Sequence, residues 1–284
     1  MNTRILWATV GIVSVVLALA VQSGCKLPVY DADVQYVERL VINGSLTPGE
    51  PISGIYVGKT LPVTTIPDPA DAEIHDAAVV IAVDGQEFPL FHTGSGLYGN
   101  NAIIAVPGKT YELTVAWNGL RATAQTLVPF SPDTATTTFT RTGHQSGIIT
   151  SVITPHTGEV YGITFIHAFW TSPGSDRSIW YGPLPGLVRA TDTGADGKIH
   201  LSTSVYLEPT GSPDTIWVTV GALDGQFYKY YYSSGNTSDF ENLVLGVPPG
   251  SPDWNISGDG IGLFVGKASA TKVIPLYLTW AYEE

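Results

Sequence analysis

Between Tyr111 and Val128, apolar and polar positions alternate, and the alternation breaks once, at Asn118-Gly119. Tyr111, Leu113, Val115 and Trp117 share one face, Glu112, Thr114 and Ala116 the other, and Leu120 to Val128 runs back after the break. A period of two predicts a strand buried on one side. Asn-Gly between two such runs predicts a tight hairpin, because a type I′ turn needs positive φ at both central residues. Val79 to Val83, Asp84-Gly85 and Gln86 to Phe91 repeat the design. Pro107-Gly108 marks a further turn, and Val37 to Asn43 and Gly54 to Thr60 read as strands. Residues 35–130 therefore predict a seven-strand β-sandwich of immunoglobulin or transthyretin type.

A seam follows at Pro129-Phe130-Ser131-Pro132-Asp133, and Thr134 to Thr142 reads as a linker and the first strand of a second unit, 131–284. Strands are expected over Val160–Trp170, Ile179–Tyr181, Leu187–Thr191, Lys198–Leu207 and Thr215–Ala222, with Asp196-Gly197 as a hairpin tip. Val273 to Tyr282, carrying Trp280 and Tyr282, reads as one more strand. Beyond residue 25 no apolar 3.6-residue period runs for ten or more positions; Asp68 to Ala78 is a turn of helix or a loop. The expected class is all-β: an N-terminal sandwich, then a second β-rich domain, sandwich or barrel-like.

The N-terminus follows a different pattern. A short start with Arg4 precedes Ile5 to Val21, 17 residues without a charge, then Gln22-Ser23-Gly24 and Cys25, the single cysteine of the chain. A basic start, an apolar stretch and small residues before a cut predict a secretory signal over residues 1–24. A lone Cys just after small residues is where a lipoprotein is cut and acylated, and residues 25–34 then form a tether. Gln22 stands where such a site usually has an aliphatic residue. Two other readings stand beside this one: an uncleaved membrane anchor, for which 17 residues is the lower limit, and an ordinary buried thiol. With one Cys the chain forms no internal disulfide. Acyl chains on Cys25, palmitate among them, would hold the protein to the membrane at about 0.8 kcal/mol per buried methylene.

Charge narrows the partners. Cleavage removes Arg4 and no acid, taking the net charge from −12 to −13, which argues against nucleic acid as a partner. Abundant Gly and Pro with 11% aromatic residues suit an extracytoplasmic protein rich in strands and turns.

The search for chemistry is mostly negative. His75, His92, His144, His156, His167 and His200 are scattered and form no paired metal motif. No Gly-x-Ser-x-Gly elbow occurs. Gly262 to Lys267 lacks the phosphate-loop spacing, having Ile261 and Ala268 at the required positions. Asp192 to Gly197 has Gly194 and Thr203 where a calcium loop needs acids. No catalytic residue, metal site or cofactor is expected, although spacing alone excludes no acid pair. One binding signal remains. Phe227-Tyr228-Lys229-Tyr230-Tyr231-Tyr232 would put rings on both faces of a strand, so Tyr228, Tyr230, Tyr231 and Tyr232 are candidates for a glycan or a protein partner, or for an edge strand between packed layers.

The C-terminal half carries Tyr228 to Tyr232, Asn236, Phe240, Pro248-Pro249 and Asn255-Ile256-Ser257-Gly258-Asp259-Gly260-Ile261-Gly262-Leu263-Phe264-Val265-Gly266 in that order. The N-terminal half carries Leu40-Val41-Ile42-Asn43-Gly44, Asp76 to Val80, Gly96-Leu97-Tyr98, Gly108 to Leu113 and Thr126 to Pro129. Together they resemble a Bacteroidota outer-membrane lipoprotein family, domain of unknown function 4249 (DUF4249), over essentially the mature chain. Asp259 replaces one Gly of the closing motif, and Val265 is inserted before Gly266. The resemblance implies a lipid-anchored outer-membrane accessory protein, non-enzymatic, partnering a TonB-dependent receptor in nutrient capture. An independent carbohydrate- or peptide-binding module is the alternative, and a hydrolase the third reading. The family supplies no catalytic residues to transfer. Its Gly-rich closing segment reads as a loop whose backbone approaches its neighbours closely or takes positive φ.

Overall fold

In the computed structural model, residues 36–62, 68–143, 146–170, 177–181, 186–206, 212–233 and 252–275 are described. Cys25, the leader and tether, and most of the expected strand at Val273–Tyr282 lie outside them.

Seven strands form in the first part: β1 (Leu40–Leu46), β2 (Pro51–Lys59), β3 (Ala78–Val83), β4 (Gln86–Gly94), β5 (Leu97–Ile104), β6 (Thr110–Trp117) and β7 (Leu120–Leu127). Both tight hairpins are present. Asn118 and Gly119 sit at φ 46° and 81°, and Asp84 and Gly85 at 52° and 79°, the left-handed pair a type I′ turn requires. A single 3₁₀ turn, Pro69–Ala72, capped by the Asp68 side chain, is what forms within Asp68–Ala78. β4 pairs with β3 through Gln86–Leu90 and with β5 from Phe91 onward. It passes between two layers, β1–β2–β5 and β3–β6–β7. Leu40, Ile42, Ile55 and Val57 from the first layer and Ile81, Leu113 and Val115 from the second meet in one core, because alternate residues of a strand face one side.

The second part adds β8 (Thr138–Gly143), β9 (Ser146–Ile153), β10 (Glu159–Trp170), β11 (Arg177–Tyr181), β12 (Val188–Arg189), β13 (Ile199–Tyr206), β14 (Ser212–Asp224), β15 (Ile256–Gly258) and β16 (Gly260–Pro275). β13, β9 and β8 form a small antiparallel sheet. Its Ile149, Ile199 and Leu201 share a second core with Tyr161, Ile163 and Phe165 of β10 and Val218 and Val220 of β14. Asp196-Gly197 is no hairpin tip: β12 pairs with β10 and β13 with β9. Gly197 turns the chain into β13 with φ 71°, and Asp196 accepts from Lys198 N. The chain is all-β, with an immunoglobulin-like sandwich followed by a second β-rich part.

The closing segment is a correction to the reading of residues 255–266 as a loop of the second unit. It is strand, and it belongs to the first core. β16 runs parallel to β1 from Leu40–Gly260 to Leu46–Gly266, then continues antiparallel to β14 as far as Pro275. β15 pairs with β7. Ile256 and Phe264 are buried in the sandwich core, and a fully buried Phe contributes roughly 1.5–3 kcal/mol. Asn255 holds the return: its Oδ1 accepts from Phe264 N at 2.9 Å, and its Nδ2 donates to Phe264 O. Close approach of backbone does explain the glycines. At Gly262 φ is +124°, and a Cβ there would strike the carbonyl oxygen of Ile42; one at Gly266 would strike that of Leu127.

The seam between the two parts is fastened by buried polar groups. Glu159 and Asp224 are cross-strand partners on β10 and β14, 2% and 5% exposed. Asp224 Oδ2 accepts from Thr126 Oγ1 at 2.7 Å and from Leu127 N at 2.9 Å. Thr126 Oγ1 in turn accepts from Gly266 N. Glu159 Oε1 accepts from Phe130 N at 2.9 Å, and its Oε2 accepts from the Tyr161 hydroxyl. That hydroxyl accepts from His156 N. A buried carboxylate is tolerated when its oxygens are satisfied in this way.

Candidate functional site

The aromatic run is helical. Gln226–Ser233 forms helix α1, a correction to the strand expected there. Aromatic residues favour strands, but two local effects prevail. The chain leaves β14 through Asp224-Gly225, and Asp224 Oδ1 accepts from Gln226 N at 3.1 Å, occupying one of the amides a helix start leaves open. Rings then meet at helical spacing: Tyr228 and Tyr232 at 4.5 Å between centroids, Phe227 with Tyr230 at 5.9 Å and with Tyr231 at 6.1 Å.

Neighbouring segments fix the helix on both sides. The Ser233 hydroxyl donates to Tyr230 O and accepts from Asp253 N at 2.7 Å. Trp254 follows, its ring 5.7 Å from that of Tyr230. On the other side, the Tyr232 hydroxyl donates to Leu187 O. The Arg189 guanidinium lies 5.3 Å above the Tyr228 ring and forks onto Asp192, Nε to Oδ2 at 3.0 Å and Nη2 to Oδ1 at 3.2 Å. That hydrogen bond holds the Asp192 carboxyl below the usual carboxylate range. Burial raises the Tyr232 phenol, with Tyr228 adding to it. Phe227 lines an open recess together with Tyr56, Leu223 and Val265.

The structure thus gathers Tyr228, Tyr230, Tyr231 and Tyr232 on one helix, with Tyr232 40% and Trp254 36% exposed. Sequence reasoning missed Trp254, Arg189 and Asp192, which reach the site from distant segments. It also missed Asp224, a capping residue type just ahead of the run, which was the available signal for a helix. Cys25 lies outside the described residues. Among the described residues no group of three or more His, Cys, Asp or Glu is placed to hold a metal ion.

Fold and site define a class: an all-β protein in which, among the described residues, the last strand returns to the first, with an aromatic helix at the junction of its two parts. The chain belongs to the family described as domain of unknown function (DUF4249), whose model matches residues 28–273. No curated protein matches it. Among solved structures it is similar to a two-domain fibronectin type-III segment of chicken tenascin, at 10% identity over 83% of this chain and 97% of that one, TM-score 0.22. It is also similar to a DUF3823 family protein from Parabacteroides merdae, at 11% identity over 65% and 90%, TM-score 0.16. At these scores neither likeness bears on function.

Proposed function

We propose that this chain is a lipid-anchored, non-enzymatic accessory protein of the outer membrane that docks a TonB-dependent receptor through helix α1 and serves that receptor's nutrient capture. The observation that carries the reading is the cluster formed by Tyr230 and Tyr232, on a short helix fixed at both ends, with Trp254 and Arg189 from the segments beside it. Tyr, Trp and Arg are the residue types that dominate interface energetics, and a pre-ordered patch loses little side-chain freedom on binding. Lipid attachment at Cys25 rests on the leader, and the receptor on family membership. No helix among the described residues is long and apolar enough to cross a membrane. The buried acids Glu159 and Asp224 direct their oxygens to backbone, hydroxyl and phenol donors, which supports a structural use over a hydrolytic one.

Extraction from native membranes in mild detergent tests the proposal. The wild type brings down an outer-membrane receptor, and Tyr230→Ala with Trp254→Ala brings down markedly less. Recovery of the wild type alone contradicts the reading.

A further inference from the structure

The outward face of β6, β7 and β15 carries a solvent-open recess of about 400 Å³ beside the start of α1, within the range of small-molecule clefts, roughly 300–1,000 Å³. Strand register arranges its side chains in rows. Thr114 pairs with Thr123, and Thr123 with Ser257, so three hydroxyls stand abreast. Glu112 pairs with Gln125 in the next row of the same face. Gln226 and Asn255 close that end, each donating an amide hydrogen to the Gln125 carbonyl at 3.3 Å. Asn255 is committed to this bond and to Phe264, so it forms a wall. The side chains of Glu112, Thr114, Thr123, Gln125 and Ser257 make no hydrogen bond with other described residues.

The chemistry of this lining selects among ligands. Hydroxyl and amide groups both donate and accept, which suits a partner bearing many hydroxyls. The lining holds no Lys, Arg or His, and its one charge is the Glu112 carboxylate, on a chain of net charge −12. Phosphate, sulfate and uronate ligands are repelled there. Leu113 and Ala124, the apolar lining residues, are buried, so a greasy ligand has little to cover. Strand spacing of about 4.8 Å sets neighbouring hydroxyls apart by the width of one sugar ring. We infer that this recess binds a neutral saccharide, with Thr123, Gln125 and Ser257 hydrogen-bonding its hydroxyls and Glu112 accepting from one of them. The recess shares only Gln226 with helix α1, so this inference stands apart from receptor docking.

Calorimetric titration of the full-length protein in a detergent without a sugar headgroup provides the test. The probes are neutral hexasaccharides of glucose, mannose and xylose, a sulfated hexasaccharide and an unstructured hexapeptide. At least one neutral saccharide binds the wild type. Gln125→Ala weakens it roughly three- to tenfold, as expected for one lost hydrogen bond. Thr123→Lys and, independently, Ser257→Lys abolish it, with unchanged thermal melting certifying the fold. Failure of every neutral probe, preference for the sulfated probe or the peptide, or wild-type binding by well-folded variants overturns the inference. Receptor recovery with the same variants stays at the wild-type level, so the two proposals fail separately.

Discussion

Glu159 and Asp224 face each other across β10 and β14, and between them they hold the backbone amides of Phe130 and Leu127. These two carboxylates fasten the end of the sandwich to β10 and β14. Asp224 does more, because its other oxygen starts the aromatic helix. One side chain therefore couples the junction of the fold to the orientation of the proposed docking surface.

Replacing Asp224 tests both roles. Asp224→Ala leaves Thr126, Leu127 and Gln226 donors without their acceptor and costs about 3 kcal/mol. Asp224→Asn costs less, since one amide oxygen still accepts. Denaturant unfolding of both variants measures the difference. Near-ultraviolet dichroism follows the tyrosine cluster and is expected to weaken in both.

The closing strand tolerates no side chain at its tight points. Gly262→Ala combines a left-handed φ with a collision against the Ile42 carbonyl and is expected to cost about 3 kcal/mol or more. Gly119→Ala has an unfavourable φ but open space around it, and is expected to cost about 1–2 kcal/mol. Thermal melting ranks the two variants.

How much of this was legible depends on range. The Asn118-Gly119 and Asp84-Gly85 hairpins were readable because everything that sets them lies within a few residues. The fate of Gly258 to Gly266 was not, since a Gly-rich stretch resembles a loop until β1 and β7 stand beside it. Helix α1 was hidden for two reasons. Eight residues give too few turns for a 3.6 period to show, and its aromatic composition argues for a strand. Its ring contact with Trp254 comes from tertiary structure, and the local cap at Asp224 was the one signal the sequence offered. The polar recess was invisible for the same reason: Thr114, Thr123 and Ser257 become one row only through strand register.

Alkaline behaviour reports on Tyr161. Burial, and then its hydrogen bond to Glu159, push its phenol well above the usual value. A folded value above that of the unfolded chain, about 10, stabilises the protein fully below that pH, and the contribution is lost as pH rises toward the folded value. Tyr161→Phe, which leaves His156 N and Glu159 Oε2 unpartnered, is expected to cost about 1–2 kcal/mol at neutral pH. The gap to the wild type narrows at pH values above the unfolded phenol's. A gap that widens there contradicts this assignment.

At the acid end the sign reverses. Asp192 is held low by Arg189, so their pairing is fully present above the usual carboxylate range and fades as pH falls through the lowered folded value. Carboxyl NMR titration is expected to show the Asp192 midpoint rising into the usual range in Arg189→Leu. An unmoved midpoint means the fork onto Asp192 does not persist in solution.

The most direct test places a photo-crosslinking amino acid at Tyr230 in the native host, with a second strain carrying it at Asn118 on the hairpin turn. The account predicts a discrete adduct with one outer-membrane protein from position 230 and none from position 118. No adduct from position 230, or the same adducts from both positions, contradicts it.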